Sequence, residues 1–345
     1  MSSVCHARLL SLDEVERQFP LPASTTQFIA SSRQTATAIL RRTIPTRALI
    51  LGPCSIHNPS EAIDYARKVS ALQSKLQHFF LIMRVFIEKP RTRLGWKGLL
   101  YDPHLDGSND LQEGILQSRK LLLDIAALQV PCATEFLDPL VAPYISDLIT
   151  WGVIGARTSA SQPHRQLASG LPFPIGFKNS IHGELETALS GIFAAKMPHA
   201  HGSIDRTGHI AAVRTTGNPL AHLVLRGSDK QPNYERQFVQ HALSELKAHH
   251  LEERLVVDCA HGNSGKDPWK QQQVFEDVIA QENDAIAGLM LESHLTTGKQ
   301  PLPDEPEVLR YGISITDPCL GWSETEELVL SAEERLSTSM SSVQK

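Results

Sequence analysis

Short apolar runs alternate with longer amphipathic stretches along this chain, and this alternation limits the possible folds more than any other pattern in the sequence. Several of the runs are separated by segments with helical spacing of apolar residues, such as Ser60–Leu76 and Ile115–Leu128. Continuous apolar strands that alternate with helices indicate a parallel sheet covered by helices. Eight such units in about 250 residues predict a single (β/α)8 TIM barrel, an α/β fold. The predicted strands are Arg47–Gly52, Phe80–Phe86, Cys132–Phe136, Val153–Arg157, Pro174–Lys178, His222–Arg226, Leu255–Cys259 and Ile286–Glu292.

An open doubly wound sheet is the alternative fold, but no Gly-x-Gly-x-x-Gly turn follows the first predicted strand. We expect an N-terminal helical extension over residues 1–45 and the barrel over residues 46–330. A glycine-containing stretch at about 195–217 predicts an inserted β-hairpin. Residues 331–345 are predicted to form a polar tail, whose Ser-rich end from Leu336 to Lys345 is expected to fray. The two helices of the extension are predicted over Leu10–Phe19 and Thr25–Arg42.

Composition and charge exclude several classes of protein. The sequence has 33 Lys and Arg against 38 Asp and Glu. This net charge of −5 argues against binding of nucleic acid or anionic membrane through the overall charge of the protein. The most apolar stretch, His78–Ile87, contains an arginine and is far shorter than the roughly 18 residues of a transmembrane helix. The N-terminus lacks a signal-peptide pattern, and the five scattered cysteines do not form a disulfide framework. We therefore expect a cytoplasmic protein without nucleic-acid or membrane partners.

Residues able to do chemistry stand at the end of nearly every apolar run. In a barrel the carboxyl ends of the strands meet at one face, where active sites lie. Cations dominate this predicted mouth although the chain is acidic, and they would be costly to pack together without anions. Because arginine forks suit carboxylate and phosphate, a ligand with two or more anionic groups explains them best. For any one arginine alone, a structural ion pair is the alternative. The cations are Arg84, Lys89, Arg91, Arg157, Lys178 and Arg226.

A second set of strand-end residues offers metal ligands. Cys54, His261, Glu292 and Asp317 combine thiolate, imidazole and carboxylate, which suits Mn, Fe, Co or Zn better than Mg or Ca. Taken singly, each of these residues has an ordinary structural explanation, such as a buried thiol. A nucleophilic pair of Cys54 and His261 is a further alternative, but it leaves the two carboxylates and the cations unexplained.

Ten motifs that contain these residues stand in order between about residue 10 and residue 330. They are Gly52–His57, Met83–Thr92, Gly95–Gly98, Glu135–Asp138, Gly155–Thr158, Gly176–Asn179, Leu225–Gly227, Asp258–Ser264, Glu292–His294 and Ser314–Cys319. In order and spacing the chain resembles the type I 3-deoxy-D-arabino-heptulosonate 7-phosphate (DAHP) synthases, the first enzymes of the shikimate pathway to aromatic amino acids. The run from Lys89 to Thr92 is typical of these enzymes rather than of the related octulosonate-phosphate synthases.

The resemblance implies a metal-dependent transferase that condenses phosphoenolpyruvate with D-erythrose 4-phosphate and water, releasing phosphate. It implies that phosphoenolpyruvate is bound by Arg84, Lys89, Lys97, Ala156, Arg157, Lys178 and Arg226, and erythrose 4-phosphate by Lys89, Pro90, Arg91 and Thr92. It assigns a divalent metal to Cys54, His261, Glu292 and Asp317, and catalytic roles to Lys89, Glu135 and His261. In these roles Glu135 orients the attacking water, and Lys89 donates a proton to the forming alkoxide.

The resemblance also implies a homodimer or homotetramer. It leaves open whether phenylalanine, tyrosine, tryptophan or no aromatic amino acid acts as a feedback inhibitor. The alternative function is a non-catalytic barrel that senses a phosphorylated or aromatic ligand, but the retention of all four metal positions argues against it. A metal-dependent hydrolase is a third possibility. It would not require two anion pockets, so Arg91 and Thr92 separate it from the synthase.

Overall fold

Eight parallel strands close into a barrel in the computed structural model, which describes residues 7–303 and 305–343. Neighbouring strands follow chain order around the barrel, and the last pairs with the first, with Ile50 opposite Met290. The predicted (β/α)8 barrel is therefore confirmed. The strands are β1 (Arg47–Gly52), β2 (Phe79–Arg84), β3 (Cys132–Glu135), β4 (Trp151–Ile154), β5 (Ile175–Lys178), β6 (Ala200–Ile204), β7 (Ile210–Arg214), β8 (Ala221–Leu225), β9 (Leu255–Asp258) and β10 (Ile286–Glu292), of which β6 and β7 form a separate antiparallel hairpin.

Helices surround the barrel, and local signals set several of their starts. Pro59 begins α3 because its missing N–H costs nothing there, and the Asn58 side chain caps the helix by accepting from the Ser60 N–H. Asp110 caps α4 in the same way. The helices are α1 (Leu12–Gln18), α2 (Ala23–Leu40), α3 (Pro59–Gln73), α4 (Leu111–Ala127), α5 (Gln162–Gly170), α6 (Glu186–Lys196), α7 (Arg236–Ala248), α8 (His261–Ser264), α9 (Lys270–Ile279) and α10 (Trp322–Val343).

The core has two layers, because successive residues of a strand point to opposite sides of the sheet. Leu49 and Leu51 pack in the larger apolar cluster, between the barrel and its helices. Ile50 packs in the smaller cluster, with Ile82 and Met290, inside the barrel. Large apolar side chains therefore fill the middle of the barrel, and the polar side chains that follow the strands lie at one mouth.

The fourth strand ends earlier than predicted. The prediction extended it to Arg157, but β4 ends at Ile154 and the chain turns at Gly155, whose carbonyl accepts from the N–H groups of Thr158 and Ser159. Arg157 is therefore an exposed residue of the loop after β4.

The first helix contacts the hairpin outside the barrel, and the second helix contacts the chain before β4. The Arg206 guanidinium donates from Nε to Asp13 Oδ1 at 2.9 Å and also pairs with Glu16. Arg33 of α2 donates to the carbonyls of Ser146 and Ile149, each at 2.8 Å, which ties the extension to the barrel. The division of the chain into extension, barrel and inserted hairpin stays a prediction.

The tail predicted over residues 331–345 is helical as far as the structure describes it, since α10 continues to Val343. Val329 and Ala332 of this helix are buried, and Glu333 accepts hydrogen bonds from the backbone N–H groups of Gln77 (2.7 Å) and His78 (3.1 Å). A buried face thus holds a helix whose serines suggested disorder. Residues 344 and 345 lie outside the described residues. Within residues 7–303 and 305–343, no helix has the length and apolar content needed to cross a membrane.

Candidate active site

A cavity of about 450 Å³ opens at the carboxyl ends of the strands, where the sequence predicted the functional residues to meet. Among the described residues, seven Lys or Arg side chains line it against three carboxylates. The mouth is therefore strongly cationic in a chain that is acidic overall. Its charged lining residues are Lys89, Arg91, Arg93, Arg157, Lys178, Arg226, Lys266, Glu135, Asp229 and Asp317.

Most of the predicted site residues line this cavity. They are Lys89, Pro90, Arg91, Thr92, Glu135, Ala156, Arg157, Lys178, Arg226, His261 and Asp317. Two predicted substrate ligands do not. Arg84 is fully buried outside the lining, and Lys97 is exposed outside it, with its backbone carbonyl accepting from the Lys89 N–H at 2.8 Å.

The predicted metal ligands come together beside the cavity. Ligand atoms of Cys54, Glu292 and Asp317 lie within 4.8 Å of one another, and His261 Nε2 lies 3.6 Å from Glu292 Oε1. Burial and the nearby Glu292 carboxylate raise the pKa of the Cys54 thiol, although Lys89 Nζ, 3.1 Å from Sγ, opposes this. A buried thiol beside two carboxylates calls for a cation, and the mixed S, N and O donors fit a borderline divalent metal.

Asp258 at the end of β9 contacts one predicted metal ligand, His261, and one cation of the cavity, Lys178. Its Oδ2 accepts a hydrogen bond from Lys178 Nζ at 2.8 Å and lies 2.8 Å from His261 Nδ1. Burial raises the pKa of this carboxyl, but His261 and Lys178 outweigh burial and hold it well below its ordinary value. A carboxylate facing Nδ1 favours a hydrogen there, which leaves the Nε2 lone pair free for a metal.

Arg84 is buried at the end of β2 and holds Glu292. Its Nη2 donates to Glu292 Oε1 at 3.0 Å, and both side chains are almost inaccessible to solvent. Its guanidinium carbon also lies 4.0 Å from the centre of the Phe86 ring. The ion pair fixes the orientation of Glu292, a candidate metal ligand. Because both side chains are buried, each charge is compensated by the other and not by water.

The loop after β2 forms one wall of the cavity and is fixed by local contacts. Arg91 Nε donates to the Trp96 carbonyl at 2.7 Å, and Arg157 Nε donates to Thr92 Oγ1 at 3.1 Å. Gly98 closes the loop at a φ of +112°, where a Cβ would lie 2.1 Å from the carbonyl oxygen of Ile87. Only glycine fits there, so the conformation that presents this wall depends on it.

Glycine also makes room for the cavity carboxylate. A Cβ at Gly155 would lie 2.0 Å from Glu135 Oε1, so any larger residue after β4 would displace this side chain. Glu135 lines the cavity and is itself nearly buried. The turn after β4 therefore places the carboxylate against the backbone that leads to Ala156.

Glu88 lies behind the same wall as a buried carboxyl. Its two oxygens accept from the backbone N–H groups of Leu137 (3.2 Å) and Asp138 (3.1 Å), which joins the loops after β2 and β3. Burial raises the pKa of Glu88 to about 8, and the N–H of Leu137 only partly offsets this.

We expect the Glu88→Gln variant to gain stability relative to the natural chain as the pH rises. The folded chain keeps the Glu88 proton up to about pH 8, while the unfolded chain loses it at the ordinary carboxyl pKa. The stability that this carboxyl contributes is therefore complete below about pH 4.5 and is lost as pH rises through the folded pKa. Glutamine stays neutral, so the difference in unfolding free energy should grow by on the order of a few kcal/mol from pH 5 to pH 8.5. Urea unfolding at both pH values measures it, and a constant difference would contradict the buried proton.

Comparison with known proteins now decides the family. The profile described as the DAHP synthetase I family matches residues 43–330, a span that contains the whole barrel and every lining residue of the cavity. The chain belongs to the DAHP synthetase I family. The resemblance inferred from the ten motifs is thereby confirmed.

Full-length relatives of this DAHP synthetase I chain carry one enzyme name. The Tyr-sensitive phospho-2-dehydro-3-deoxyheptonate aldolase of Escherichia coli K12 is 43% identical over 325 residues, covering 93% of this chain and 91% of the relative. The Phe-sensitive enzyme of that strain is 43% identical over 316 residues, and the Trp-sensitive enzyme is 42% identical over 325 residues; these matches cover 90% and 93% of both chains, respectively. A solved structure of phospho-2-dehydro-3-deoxyheptonate aldolase from Francisella tularensis SCHU S4 superposes with a TM-score of 0.94 at 38% identity, covering 96% of this chain and 98% of that chain.

Several residues of this DAHP synthetase I site were not predicted from the sequence: Arg93, Asp229 and Lys266 of the cavity lining, and Asp258 and Glu88 beside it. Asp258 and Glu88 lie inside the ten motifs, but the spacing of the motifs does not show which predicted ligands of metal or phosphate they contact. The available signal was position, because Asp258 is a charged residue that ends a buried strand. Their partners, His261, Lys178 and the backbone after β3, come from other strands.

Proposed function

We propose that this chain is a DAHP synthase that condenses phosphoenolpyruvate with D-erythrose 4-phosphate and water, yielding DAHP and phosphate. One observation carries the proposal: a cavity lined by seven cations adjoins a cluster of thiol, imidazole and carboxylate ligands. Two phosphorylated substrates, one of which also bears a carboxylate, account for that excess of positive charge. The family to which the chain belongs gives this arrangement its reaction.

The cations divide into two proposed anion sites. Arg157, Lys178 and Arg226, with the backbone at Ala156, bind the phosphate of phosphoenolpyruvate. Arg84 is the proposed partner of its carboxylate, which would then share this guanidinium with Glu292. Lys97 lies outside the cavity lining, so contact with phosphoenolpyruvate requires its exposed side chain to reach into the cavity.

The second anion site lies on the loop after β2. Arg91 and Thr92 bind the phosphate of erythrose 4-phosphate, and Pro90 shapes the same wall. Arg157 bonds to Thr92 Oγ1, so the two sites adjoin, as a reaction that joins two substrates requires.

The chemistry follows from what the remaining side chains can do. A divalent ion of the Mn, Fe, Co or Zn class, held by Cys54, His261, Glu292 and Asp317, supplies Lewis-acid polarisation of the aldehyde when bound. Lys89 Nζ lies 3.0 Å from the Cys54 carbonyl oxygen and 3.1 Å from Sγ, and it donates a proton to the alkoxide that forms. Glu135, held against Gly155, orients the water that adds to the second carbon of phosphoenolpyruvate.

The test is an assay of the purified protein with both substrates, after chelation and after addition of Mn²⁺. Loss of the enol absorbance and release of phosphate are followed together. The proposal expects coupled loss and release that stop with chelator and return with metal. Binding of phosphoenolpyruvate without turnover would instead support a sensor.

Arg91→Gln should raise the KM for erythrose 4-phosphate by about 10- to 100-fold and change the KM for phosphoenolpyruvate little. The reason is that a charge-assisted bond to phosphate contributes roughly 1.5–3 kcal/mol, which only one substrate would lose. Initial rates with each substrate varied in turn measure both constants. Arg93→Gln is the matched control, since it removes a neighbouring cation of the same lining. An unchanged KM for erythrose 4-phosphate would remove Arg91 from this role.

Two further proposals concern the regulation and the oligomeric state of the protein. The relatives are named for sensitivity to Tyr, Phe or Trp, so we propose feedback inhibition of this chain by one aromatic amino acid. We also propose a homodimer or homotetramer in the cytoplasm. Inhibition assays with each amino acid and analytical sedimentation decide these points.

A further inference from the structure

A second cluster of metal-ligating side chains lies outside the cavity lining. It consists of His57 in the loop after β1, Glu61 in the first turn of α3, and His294 after β10. Their exposed fractions are 5%, 2% and 2%, so all three are buried. The function proposed above uses none of them.

Both imidazoles lie close to the same carboxylate oxygen. Nε2 of His57 lies 3.4 Å from Glu61 Oε2, and Nε2 of His294 lies 3.2 Å from it. Within the described residues, Glu61 Oε2 and both ring nitrogens of His57 lack a hydrogen-bond partner of acceptable geometry. Because a buried polar atom without a partner is costly, Nε2 of His57 and Oε2 of Glu61 together indicate an occupant between them.

The distances suit one cation. Zinc binds imidazole nitrogen at about 2.0–2.1 Å and carboxylate oxygen at about 2.0–2.2 Å, so two ligands of a tetrahedral ion lie roughly 3.3–3.4 Å apart. The separations of Glu61 Oε2 from the two Nε2 atoms, 3.4 and 3.2 Å, are close to that value, and the ligand atoms of all three residues lie within 4.8 Å of one another. We propose that His57, Glu61 and His294 form a second cation site, which takes a borderline divalent ion such as Zn²⁺. It is separate from the group of Cys54, Glu292 and Asp317.

A proton is the competing occupant. The backbone N–H of Leu295 donates to Nδ1 of His294 at 2.8 Å, which favours a hydrogen on Nε2 directed at Glu61. That hydrogen would join His294 to Glu61 but would leave both nitrogens of His57 without a partner. Binding an ion through Nε2 requires the hydrogen on Nδ1, so loading the site must break the contact with Leu295. The cation would bind Nε2 of His57, which the proton leaves without a partner, at the cost of the bond between Leu295 and His294.

The position of the site suggests what the ion would stabilise. His57 lies three residues after Cys54, and His294 lies two residues after Glu292. An ion held by all three ligands would join the loops after β1 and β10 to the start of α3. It would therefore brace the two loops that carry ligands of the first group.

The experiment measures zinc content, not activity, so it is independent of the proposed reaction. Natural chain and Cys54→Ala, each with and without Glu61→Gln, are loaded with Zn²⁺, desalted and analysed by mass spectrometry of the metal. Glu61→Gln should lower the zinc content by about one equivalent in both backgrounds. X-ray absorption of zinc in Cys54→Ala should show only N and O ligands.

Two controls keep the result interpretable. Asp64→Asn removes an exposed carboxylate of the same helix and should leave the zinc content unchanged. His57→Gln should repeat the loss if Glu61→Gln does not fold, as judged by circular dichroism. Equal zinc content with and without the cluster residues would overturn the proposal and leave the proton between His294 and Glu61.

Discussion

Cys54→Ala is expected to lower kcat/KM for the condensation by at least about 10³-fold while the barrel stays folded. A Lewis-acid metal contributes several kcal/mol to the stability of a charged transition state, and each 1.36 kcal/mol is a tenfold change in rate. Cys54 is the only sulfur ligand in the predicted set, and its thiol lies within 4.8 Å of the carboxylate ligands. Steady-state rates at saturating Mn²⁺, with bound metal quantified in the same samples, measure the effect.

Cys132→Ala is the matched control for this variant. Cys132 is also fully buried, but it packs in the apolar layer between barrel and helices. The control should lose some stability and keep its activity. If Cys54→Ala retains both the metal and the natural rate, Cys54 is not a ligand, and the cluster beside the cavity needs another explanation.

The barrel could be predicted from the sequence because its strands are buried on both faces. Such strands read as continuous apolar runs, and the eight runs in order left few alternatives. The positions at which the strands end were harder to predict, as β4 shows. Its predicted end at Arg157 included a turn that begins at Gly155, and hydrophobicity carries no information about that turn.

The C-terminal helix shows a different limit. Serines at the end of α10 indicated disorder, but the helix also buries Val329 and Ala332 and uses Glu333 to bind backbone N–H groups before β2. Propensity is a local quantity, whereas this helix is held by contacts with residues some 250 positions away in the chain.

Much of the candidate site could be predicted because strand ends converge, but its pairings could not. Topology places Lys178, Asp258 and His261 at one mouth, yet only the structure shows that one carboxylate faces both Lys178 and His261. The second cluster was not predicted at all. Its carboxylate, Glu61, belongs to a helix start, where an acidic residue is ordinary.

Arg84→Met should lower the unfolding free energy of the protein strongly. It leaves the Glu292 carboxylate buried without its partner, since the two side chains are 0% and 3% exposed. Removing one member of a buried ion pair costs roughly 3–5 kcal/mol. Urea unfolding of chelated protein measures this loss, and activity should fall with it because Glu292 is a proposed metal ligand.

Arg119→Met separates a general loss of stability from an effect at the site. Arg119 is equally buried, but its partner Asp147 is 33% exposed and lies away from the cavity. This variant should also be less stable and yet retain metal binding and KM values. Similar changes of metal binding and KM in both variants would show that the effect of Arg84 is not specific to Glu292.

The loss in Arg84→Met should shrink when the protein is saturated with Mn²⁺. A cation bound next to Glu292 would replace part of the compensation that the guanidinium provides, whereas Arg119→Met has no such rescue. The decisive quantity is the difference in unfolding free energy between each variant and the natural chain, with and without metal. If saturating metal narrows that difference for Arg84→Met alone, Arg84 and the metal act on the same carboxylate. If it narrows neither difference, Glu292 does not hold the ion, because a charge placed beside an unpaired buried carboxylate must stabilise it.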